Sequence, residues 1–391
     1  MVERIFVVTA PGLNRFATDE MARLGIIPSE RPTNSVEHLA TSNQVVIRDG
    51  GVEISGTPKD LYRANLQIRT ASRVLVRIGN FHAAAFSELR KKASRLEWER
   101  FLNAGRSIAF RVTCRKSRLY HSDAVAERIL GAIGDRLGKP PKVEKFNDES
   151  WDGSLQLILV RLFKDRCTVS IDSSGAILHR RGYRLETAKA PLRETLAAGV
   201  LMAAGWDIKK PILDPFCGSG TIPIEAAMMA LNIPPGQKRQ YAFMNWPGFQ
   251  REEWESLLEE TYMNVRTEAP KIFASDRDAG AIQAAKNNAE RAGVAKYIEF
   301  SCKSVSEITP DGIGWVVTNP PYGLRVSANK DLRNLYAQFG NILRTKFQGW
   351  RIGILCNDLR LLGQLAMKID ASQAFDNGGV TVKLGQTIIP A

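Results

Sequence analysis

Three short stretches in the C-terminal half of the sequence carry residue types that could do chemistry on a bound ligand. They are DPFCGSG, which begins at Asp214, ASDRD, which contains Asp276, and NPPY, which begins at Asn319. Each stretch ends or follows a short apolar run of the kind that forms a buried strand. Their carboxylates, amide group and closely spaced glycines suit the binding and alignment of polar ligands.

The stretch Asn319-Pro320-Pro321-Tyr322 suits the binding of an exocyclic aromatic amine. Two adjacent prolines cannot continue a strand, and they fix the backbone so that the Asn319 amide oxygen and the Pro320 carbonyl can point at one spot. Because the lone pair of such an amine is delocalised into its ring, two acceptors that hold its hydrogens can aim it at an electrophile. Tyr322 offers a flat face to an extruded base. A plain β-turn with Tyr322 packed locally is the alternative interpretation.

The turn that follows Asp214 allows a ligand to approach the backbone closely. Gly218 and Gly220 lack a β-carbon, so the chain can turn tightly there. No Gly-Lys-Ser/Thr follows, which excludes a P-loop, and Pro223 stands where a dinucleotide fingerprint has its third glycine. Cys217 within the turn is interpreted as a small packed residue and not as a nucleophile.

A strand-end acid follows this turn in the sequence. Asp276 ends the apolar run KIFAS, where a carboxylate can accept hydrogen bonds from both ribose hydroxyls of a nucleoside. The alternative is a helix N-cap, for which Asp276 or Asp278 would serve. A glycine turn and a strand-end acid in this order predict a nucleoside site.

The surrounding pattern predicts how these stretches are positioned. From about residue 185 onward, strands alternate with helices, which predicts parallel β-α units in a doubly wound sheet with ligands beyond the carboxyl ends of its strands. Residues 1–60 form a small α+β pattern with the strand RIFVVTA, a helix closed by Gly25 and a hairpin that turns at Asp49-Gly50-Gly51. Residues 61–175 are also α+β. Their predicted helices include FSELRKKASRLEWERFL and SDAVAERILGAIGDRLG, and their strands SIAFRVTC, LQLILVRLF and CTVSIDS.

Positive charge is concentrated in the first half of the chain. The net charge is +13; residues 1–184 carry 31 Lys+Arg against 20 Asp+Glu, and residues 185–391 carry 23 against 21. The asymmetry predicts a polyanion partner, most naturally a nucleic acid, and a well-solvated basic surface is the alternative. The candidate phosphate contacts are Arg90, Lys91, Lys92, Arg111, Arg115, Lys116, Arg118, Arg180, Arg181 and Arg184.

Composition argues against several other classes of protein. No apolar run reaches about 18 residues, and the start MVERIFVVTAPG differs from a signal peptide, so no membrane span or secretion is predicted. The five cysteines form no C-x-x-C pair, which fits reduced thiols in a cytoplasmic protein. The four histidines lack metal-ligand spacing, so no metal is predicted.

Taken together, the motifs resemble those of class I S-adenosylmethionine-dependent methyltransferases. DPFCGSG is similar to the first cofactor motif, ASDRD to the second, and NPPY to the amino-methyltransferase motif. The stretches LHRRGYRLETAKAPLRETLAAGVLMAAGW, NIPPGQKRQYAFMNWPGF, TAPGLNRFATDEMARLG and LYRANLQIRTASRVLVRI extend the resemblance over nearly the whole chain, to the THUMP-domain RNA guanine-N2 methyltransferases. The resemblance implies an α/β Rossmann-like methyltransferase domain at 185–391, preceded by a ferredoxin-like region at 1–60 and a THUMP RNA-binding domain at 61–175.

The resemblance also implies an activity and roles for individual residues. It implies transfer of a methyl group from S-adenosylmethionine to the N2 amine of a guanine, most readily in 23S ribosomal RNA. Around the methionine part of the cofactor it places Asp214, Phe216, Gly218, Ser219 and Gly220. Asp276 would hold the ribose, Arg277 would lie beside the adenine, and Asn319, Pro320, Pro321 and Tyr322 would hold the target base. Ser304 stands where the family usually has an acid that binds the adenine amine, with Glu307 three residues on.

Other activities remain open at this stage. A tRNA guanine-N2 methyltransferase and an adenine-N6 nucleic-acid methyltransferase would use the same chemistry, as would a protein-glutamine methyltransferase, which has less use for a basic front half. An RNA-binding assembly factor without activity is a further alternative, kept open by Ser304. A cytosine-C5 methyltransferase needs a cysteine nucleophile, and NPPYG contains none.

Overall fold

The computed structural model describes residues 2–28, 45–48, 50–103, 105–148, 151–186, 192–322 and 332–390. The chain forms two compact units, neither of which is continuous in sequence. Unit 1 comprises Met1–Thr9, Met21–Leu178 and Arg239–Glu259, and unit 2 comprises Ala10–Glu20, His179–Lys238 and Glu260–Ala391. Asp49 of the predicted hairpin turn lies outside the described residues.

Unit 1 is built on a seven-stranded sheet. Its strands are β1 (Glu3–Thr9), β2 (Val46–Arg48), β3 (Gly51–Gly56), β4 (Ala71–His82), β5 (Ser107–Arg115), β6 (Leu155–Phe163) and β7 (Arg166–Asp172), in the order β2-β3-β1-β4-β7-β6-β5. All neighbouring strands are antiparallel except β5 and β6, which are parallel. The helices in this part of the chain are α1 (Asn14–Arg23), which crosses into unit 2, α2 (Pro58–Gln67), α3 (Phe86–Ala93) and α4 (Ser122–Leu137).

The helix predicted over FSELRKKASRLEWERFL is shorter in the structure. It ends at Ala93, and only a short 3-10 turn, Trp98–Arg100, follows. The Trp98 side chain is fully buried, and its indole N–H donates to the carbonyl oxygen of Ala93 at 2.8 Å. Burial of this large aromatic ring and capping of a terminal carbonyl therefore favour the break over a continued helix.

Unit 2 contains the predicted doubly wound sheet. Its strands are β8 (Ile212–Asp214), β9 (Ile272–Asp276), β10 (Ile298–Cys302), β11 (Trp315–Thr318), β12 (Arg351–Cys356), β13 (Ala374–Asp376) and β14 (Thr381–Ile388), in the order β10-β9-β8-β11-β12-β14-β13. The first five are parallel, whereas β14 is antiparallel to β12 and to β13. Its helices are α5 (Glu194–Ala203), α6 (Thr221–Ala230), the end of α7 (Arg251–Met263), α8 (Ala279–Ala292), α9 (Arg333–Lys346) and α10 (Leu359–Gly363).

Alternating side chains of the parallel strands pack into two different cores. Ile212 and Val317 belong to a core shared with helices α5, α6 and α8, while Leu213 and Val316 belong to one shared with α9 and α10. Strands that are buried on both faces have continuous apolar sequences. Apolar and polar residues therefore do not alternate along ILD and WVVT. None of the described helices is long and apolar enough to cross a membrane.

The segment Arg239–Glu259 lies between α6 and β9 in the sequence but belongs to unit 1. Its Phe243 ring is fully buried and stacks on Tyr62 of α2 with centroids 4.6 Å apart. The Tyr241 hydroxyl donates to the carbonyl of Asn65 at 3.2 Å. Trp246 donates its indole N–H to the Gln156 amide oxygen at 2.8 Å. Unit 1 is therefore completed by residues from the C-terminal half of the chain.

Replacing Phe243 with alanine is expected to destabilise unit 1. Removal of a fully buried phenylalanine leaves a cavity and typically costs about 3–5 kcal/mol. The melting temperature measured by calorimetry should fall by several degrees. The Tyr120→Ala variant, which removes an aromatic ring that is 69% exposed in the same unit, is the matched control and should melt like the wild type. Equal melting of the Phe243→Ala variant and the wild type would contradict this role.

Candidate active site

A cavity of about 730 Å³ opens at the carboxyl ends of the parallel strands of unit 2. Residues that follow each of the five strands β8 to β12 contribute to its wall, and β8 and β11 are neighbours at the point where the strand order reverses. Ligands of doubly wound sheets bind at such a switch point. The lining residues are Pro215, Phe216, Asp276, Arg277, Asp278, Lys303, Ser304, Val305, Ser306, Asn319, Pro320, Pro321, Tyr322, Leu335, Gln338, Ile342, Asn357, Asn377 and Val380.

The four residues after β11 line this cavity together. The Asn319 side-chain oxygen is buried and has no hydrogen-bond partner in the part of the chain that the structure describes. Such an acceptor is costly to bury unless a ligand satisfies it. The Pro321 carbonyl accepts from the Tyr336 hydroxyl at 3.4 Å, and the Tyr322 hydroxyl accepts from the Asn377 amide at 3.3 Å. Neighbouring residues thus hold the turn while the Asn319 oxygen stays available.

The two candidate N-cap acids have separate roles. Asp278 caps α8, where its side chain accepts from the backbone N–H groups of Gly280 and Ala281 at 2.8 and 3.2 Å. Asp276 instead lies at the cavity wall, and its carboxylate accepts from the Gly218 and Asp278 N–H groups, each at 3.0 Å. The capping alternative therefore applies to Asp278, and Asp276 joins the end of β9 to the glycine turn.

The turn after β8 is organised by a buried acid. Asp214 is 3% exposed and accepts from the Thr318 hydroxyl at 2.6 Å and from the Phe216 N–H at 3.2 Å. These contacts join the carboxyl ends of β8 and β11 behind the cavity wall. Of the five residues predicted around the methionine part of the cofactor, Phe216 lines the cavity, and Asp214, Gly218, Ser219 and Gly220 are not among the lining residues.

Gly220 shows why this turn needs glycine. Its φ of +85° is strained for other residues, and a β-carbon there would lie 2.9 Å from the β-carbon of Ala285 in α8. Asn288 of the same helix is fully buried and donates to the Ser219 carbonyl at 3.0 Å. Sequence reasoning missed Asn288 because an asparagine inside an alanine-rich helix has no local signal for a long-range contact.

The burial of the Asp214 carboxyl predicts that the stability of the protein depends on pH. Burial raises the pKa of Asp214 from 3.8 to about 7. The folded state then holds a proton that the unfolded state loses, so this carboxyl lowers the free energy of unfolding as pH rises from about 4 to about 7. Asp214→Asn keeps an oxygen acceptor for Thr318 and removes the ionisation.

The Asp214→Asn variant should therefore gain stability relative to the wild type as pH rises, by a few kcal/mol at most, since each pKa unit corresponds to about 1.4 kcal/mol. Thermal unfolding of both proteins across this pH range measures the difference. Burial also raises the pKa of Glu194 to about 7, but this group is present in both proteins and cancels in the comparison. A difference that does not change with pH would contradict the burial effect.

Ser304 lines the cavity, and Glu307 does not. The Glu307 carboxylate accepts from the Ser304 N–H at 2.8 Å and from the Ser304 hydroxyl at 2.7 Å. The Ser304 oxygen in turn accepts from the Glu307 backbone N–H, which completes a capping box. These hydrogen bonds lower the pKa of Glu307. Glu307 thus orients Ser304, whose hydroxyl oxygen also lies 2.8 Å from the hydroxyl oxygen of Ser306.

Sequence reasoning missed several lining residues because their chain neighbours carry no motif. Leu335, Gln338 and Ile342 come from one face of α9. Asn357 directly follows β12, and its place after an apolar run was a signal that could have identified it. Asn377 lies in the turn between the antiparallel strands β13 and β14, which the sequence did not predict.

The ten basic residues predicted to contact RNA are divided between the two units. Seven lie in unit 1, namely Arg90, Lys91, Lys92, Arg111, Arg115, Lys116 and Arg118, whereas Arg180, Arg181 and Arg184 lie in unit 2. In unit 1, Arg90 makes two hydrogen bonds of 2.7 Å to Asp135, and Lys92 pairs with Glu88. Arg115 and Lys116 are exposed and form no ion pair with the described residues.

The predicted RNA contacts of two basic residues in unit 2 need correction. The Arg181 side chain is 2% exposed and lies 3.6 Å from the buried carboxylate of Glu225, which also accepts from the Tyr183 hydroxyl at 3.0 Å. The Arg184 guanidinium lies 3.2 Å from Glu194 and donates to the Leu192 carbonyl at 2.7 Å. Arg181 is buried against a buried acid, and the 13% exposed Arg184 side chain is held by Glu194 and the Leu192 carbonyl, so we remove both from the candidate RNA surface. Arg180 is exposed.

Comparison with known proteins places the chain in a family. Residues 181–386 match the RMKL-like methyltransferase domain, residues 4–75 the RlmL ferredoxin-like domain, and residues 83–172 the THUMP domain. The chain belongs to the RMKL-like methyltransferase family. The predicted resemblance, the Rossmann-like fold and S-adenosylmethionine as the methyl donor are thereby confirmed at the level of this family.

Individual relatives agree with this assignment. The "Ribosomal RNA large subunit methyltransferase K/L" of Psychromonas ingrahamii is 34% identical over 388 residues, covering 96% of this chain and 49% of that protein. The chain thus spans about half the length of that curated relative. The "Putative RNA methyltransferase slr0064" of Synechocystis is 30% identical over 383 residues and covers 97% of this chain and 95% of the relative.

A solved structure shares the whole fold with this member of the RMKL-like family. The crystal structure of SMU.472, a putative methyltransferase complexed with SAH, is 26% identical and covers 100% of this chain and 99% of that one, with a TM-score of 0.84. SAH denotes S-adenosylhomocysteine, which is what the methyl donor becomes when its methyl group has been transferred.

Proposed function

We propose that this protein transfers a methyl group from S-adenosylmethionine to the exocyclic N2 amine of a guanine in RNA, with 23S ribosomal RNA as the substrate. The single observation that carries the proposal is that the Asn319 oxygen in the wall of the cavity is buried and has no hydrogen-bond partner among the described residues. An exocyclic amine is the donor that this acceptor suits.

Residues of the cavity are suited to hold the methyl donor. Its volume of about 730 Å³ lies within the range of about 300–1,000 Å³ that is usual for small-molecule sites. Asp276 would accept from the ribose hydroxyls, with Arg277 and Ser304 beside the adenine and Phe216 at the methionine part. When bound, the donor supplies an electrophilic methyl group on a sulfonium.

The chain's own residues would align the nucleophile. Asn319 would accept a hydrogen of the guanine amine, so that the nitrogen lone pair is directed away from the ring plane. Tyr322 would hold the ring by stacking. Asn319 is neutral and does not take the proton. The methylated amine is strongly acidic, so it loses its proton to water. No cysteine or histidine is among the described lining residues, which favours direct transfer over a covalent enzyme intermediate.

Two features support RNA as the substrate. The chain contains a THUMP domain match, and both curated relatives are named as RNA methyltransferases. The exposed cations of unit 1 would bind phosphates. The name of the Psychromonas relative favours large-subunit ribosomal RNA over tRNA. Adenine N6 remains the second candidate target, since its amine has the same electronic character.

Nucleoside analysis tests this proposal. The full chain is incubated with labelled S-adenosylmethionine and unmodified transcripts of 23S rRNA and of tRNA, which are then digested and analysed by mass spectrometry. We expect label in N2-methylguanosine from the 23S transcript. The same nucleoside mapped in ribosomal RNA and tRNA of a deletion strain identifies the substrate in the cell.

The other outcomes discriminate among the alternatives. Label in N6-methyladenosine would show that adenine and not guanine is the target. Label only in tRNA would show that tRNA and not 23S rRNA is the substrate. Transfer to proteins would support the glutamine alternative. Absence of transfer to every RNA, with RNA binding retained, would favour an assembly factor without activity.

A further inference from the structure

One face of strands β5, β6 and β7 in unit 1 is open to solvent near the β6–β7 hairpin. Side chains alternate along β6, with Val160 and Leu162 buried and Arg161 and Phe163 exposed. On the neighbouring β5 the exposed positions include Thr113 and Arg115. The outward side chains of these strands therefore form a continuous surface.

The strand register puts an aromatic ring between two arginines on this surface. Phe163 pairs with Arg115 of β5 on one side and with Arg166 of β7 on the other, and Arg166 pairs in turn with His82 of β4. Neighbouring strands of a sheet lie about 4.8 Å apart, so the four side chains form one row. Phe163 is 39% exposed although it stands near the middle of that row.

Two further cations lie against the Phe163 ring. The guanidinium carbon of Arg161 is 5.8 Å from its centroid, and the ammonium nitrogen of Lys164 is 5.6 Å from it. Such cation–π contacts hold the cations near the ring.

At one end of this row His82 lies 3.9 Å from the Glu88 carboxylate, whereas Arg115, Arg161 and Arg166 form no ion pair with the described residues of unit 1. Arg166 donates to the neutral amide oxygen of Asn80 at 2.9 Å. Of the acids near this end of the sheet, Asp165 accepts from the Arg118 N–H at 2.7 Å, and Glu88 pairs with Lys92. The arginines around Phe163 consequently repel one another, and a polyanion would relieve that repulsion.

A ligand that matches this row must combine negative charges with flat rings. Unpaired RNA does so, because its phosphates follow the chain and its bases expose both faces, whereas a duplex hides the base faces within its stack. We propose that Arg115, Phe163 and Arg166 of this row, together with Arg161 two residues before Phe163 in β6, bind an unpaired segment of RNA. Phe163 stacks on one base, and the arginines contact the flanking phosphates. The inference rests on the proposed function in that RNA is the substrate.

Binding by the full chain without methyl donor tests this inference. Fluorescence anisotropy measures the Kd for a short labelled oligouridylate and for an RNA duplex. Phe163→Ala should raise the Kd for the oligouridylate about tenfold, as expected for loss of one base–aromatic stack, and change the Kd for the duplex less than about twofold. Phe163→Trp should restore oligouridylate binding. The double variant Arg115→Ala/Arg166→Ala should weaken both complexes.

The controls separate stacking from folding and from charge alone. Phe163→Leu keeps an apolar strand residue but has no aromatic face, so it should behave like Phe163→Ala even if the alanine variant folds poorly. Tyr262→Ala removes a ring that is 44% exposed in α7 and should bind like the wild type. Unchanged oligouridylate binding by Phe163→Leu would overturn the inference, and so would equally tight, Phe163-independent binding of heparin or polyglutamate.

The outcome is independent of the base that is methylated. If the product is a nucleoside other than N2-methylguanosine and Phe163→Leu selectively loses single-strand binding, the proposed target base is wrong and the proposed binding surface is supported. If N2-methylguanosine forms and Phe163→Leu binds oligouridylate normally, the surface fails and the activity stands.

Discussion

Replacing Asn319 with alanine is expected to lower kcat for methyl transfer about 1,000-fold, while the Kd for S-adenosylmethionine changes less than about threefold. The variant removes the buried oxygen that would hold the target amine, and loss of one positioned polar group at a reacting centre typically costs 10²- to 10³-fold in rate. Single-turnover kinetics measures the transfer step, and calorimetry measures binding of the methyl donor.

Asn264→Ala is the matched control for this variant. It removes an exposed amide of unit 2 whose nitrogen donates to the Glu260 carbonyl at 2.7 Å, so transfer should be unaffected. If Asn319→Ala instead abolished affinity for the donor and left transfer nearly intact, Asn319 would belong to the cofactor site and our assignment would be wrong.

Replacing Asp276 with alanine is expected to raise the Kd for S-adenosylmethionine about 100-fold or more. The variant would lack the carboxylate that accepts hydrogen bonds from the ribose hydroxyls, and bonds to a charged group contribute about 1.5–3 kcal/mol each. It would also lose its contacts with the Gly218 and Asp278 N–H groups, which join β9 to the glycine turn. Calorimetric titration with the methyl donor measures the change.

Asp311→Ala provides the comparison for Asp276→Ala. Asp311 is an exposed acid of unit 2 that pairs with Lys271 at 2.6 Å outside the cavity lining, so its removal should leave affinity unchanged. Melting temperatures of both variants show whether loss of binding reflects loss of folding. Normal donor affinity in a folded Asp276→Ala protein would refute the ribose-binding role.

Local sequence was sufficient to predict the three motif stretches and the strands that carry them. Short apolar runs that lead to Asp214, Asp276 and Asn319 predict parallel strand ends. In the structure Asp214 and Asp276 are the last residues of β8 and β9, and Asn319 directly follows β11. Since the carboxyl ends of parallel strands share one edge, their meeting at one cavity follows from topology. The stretches SIAFRVTC, LQLILVRLF and CTVSIDS of unit 1 are likewise predicted as strands, and they correspond to β5, β6 and β7.

The sequence could not predict environments that depend on distant parts of the chain. Arg181 and Arg115 look alike in basic runs, yet Arg181 lies against the buried Glu225 and Arg115 is exposed in β5. The sequence also gave no sign that Arg239–Glu259 belongs to unit 1, because its docking depends on burying Tyr241 and Phe243 among residues far away in the chain.

By itself, then, the sequence determined the type of chemistry and the element that carries each motif, because turn residues and apolar periodicity act within a few positions. Only the tertiary structure decided which polar groups are satisfied. It showed that Asp278 caps a helix while Asp276 faces the cavity, and that the Asn319 oxygen is buried without a described partner. Hydrogen-bond satisfaction and burial are properties of packed neighbours, and those neighbours come from segments that no local pattern connects.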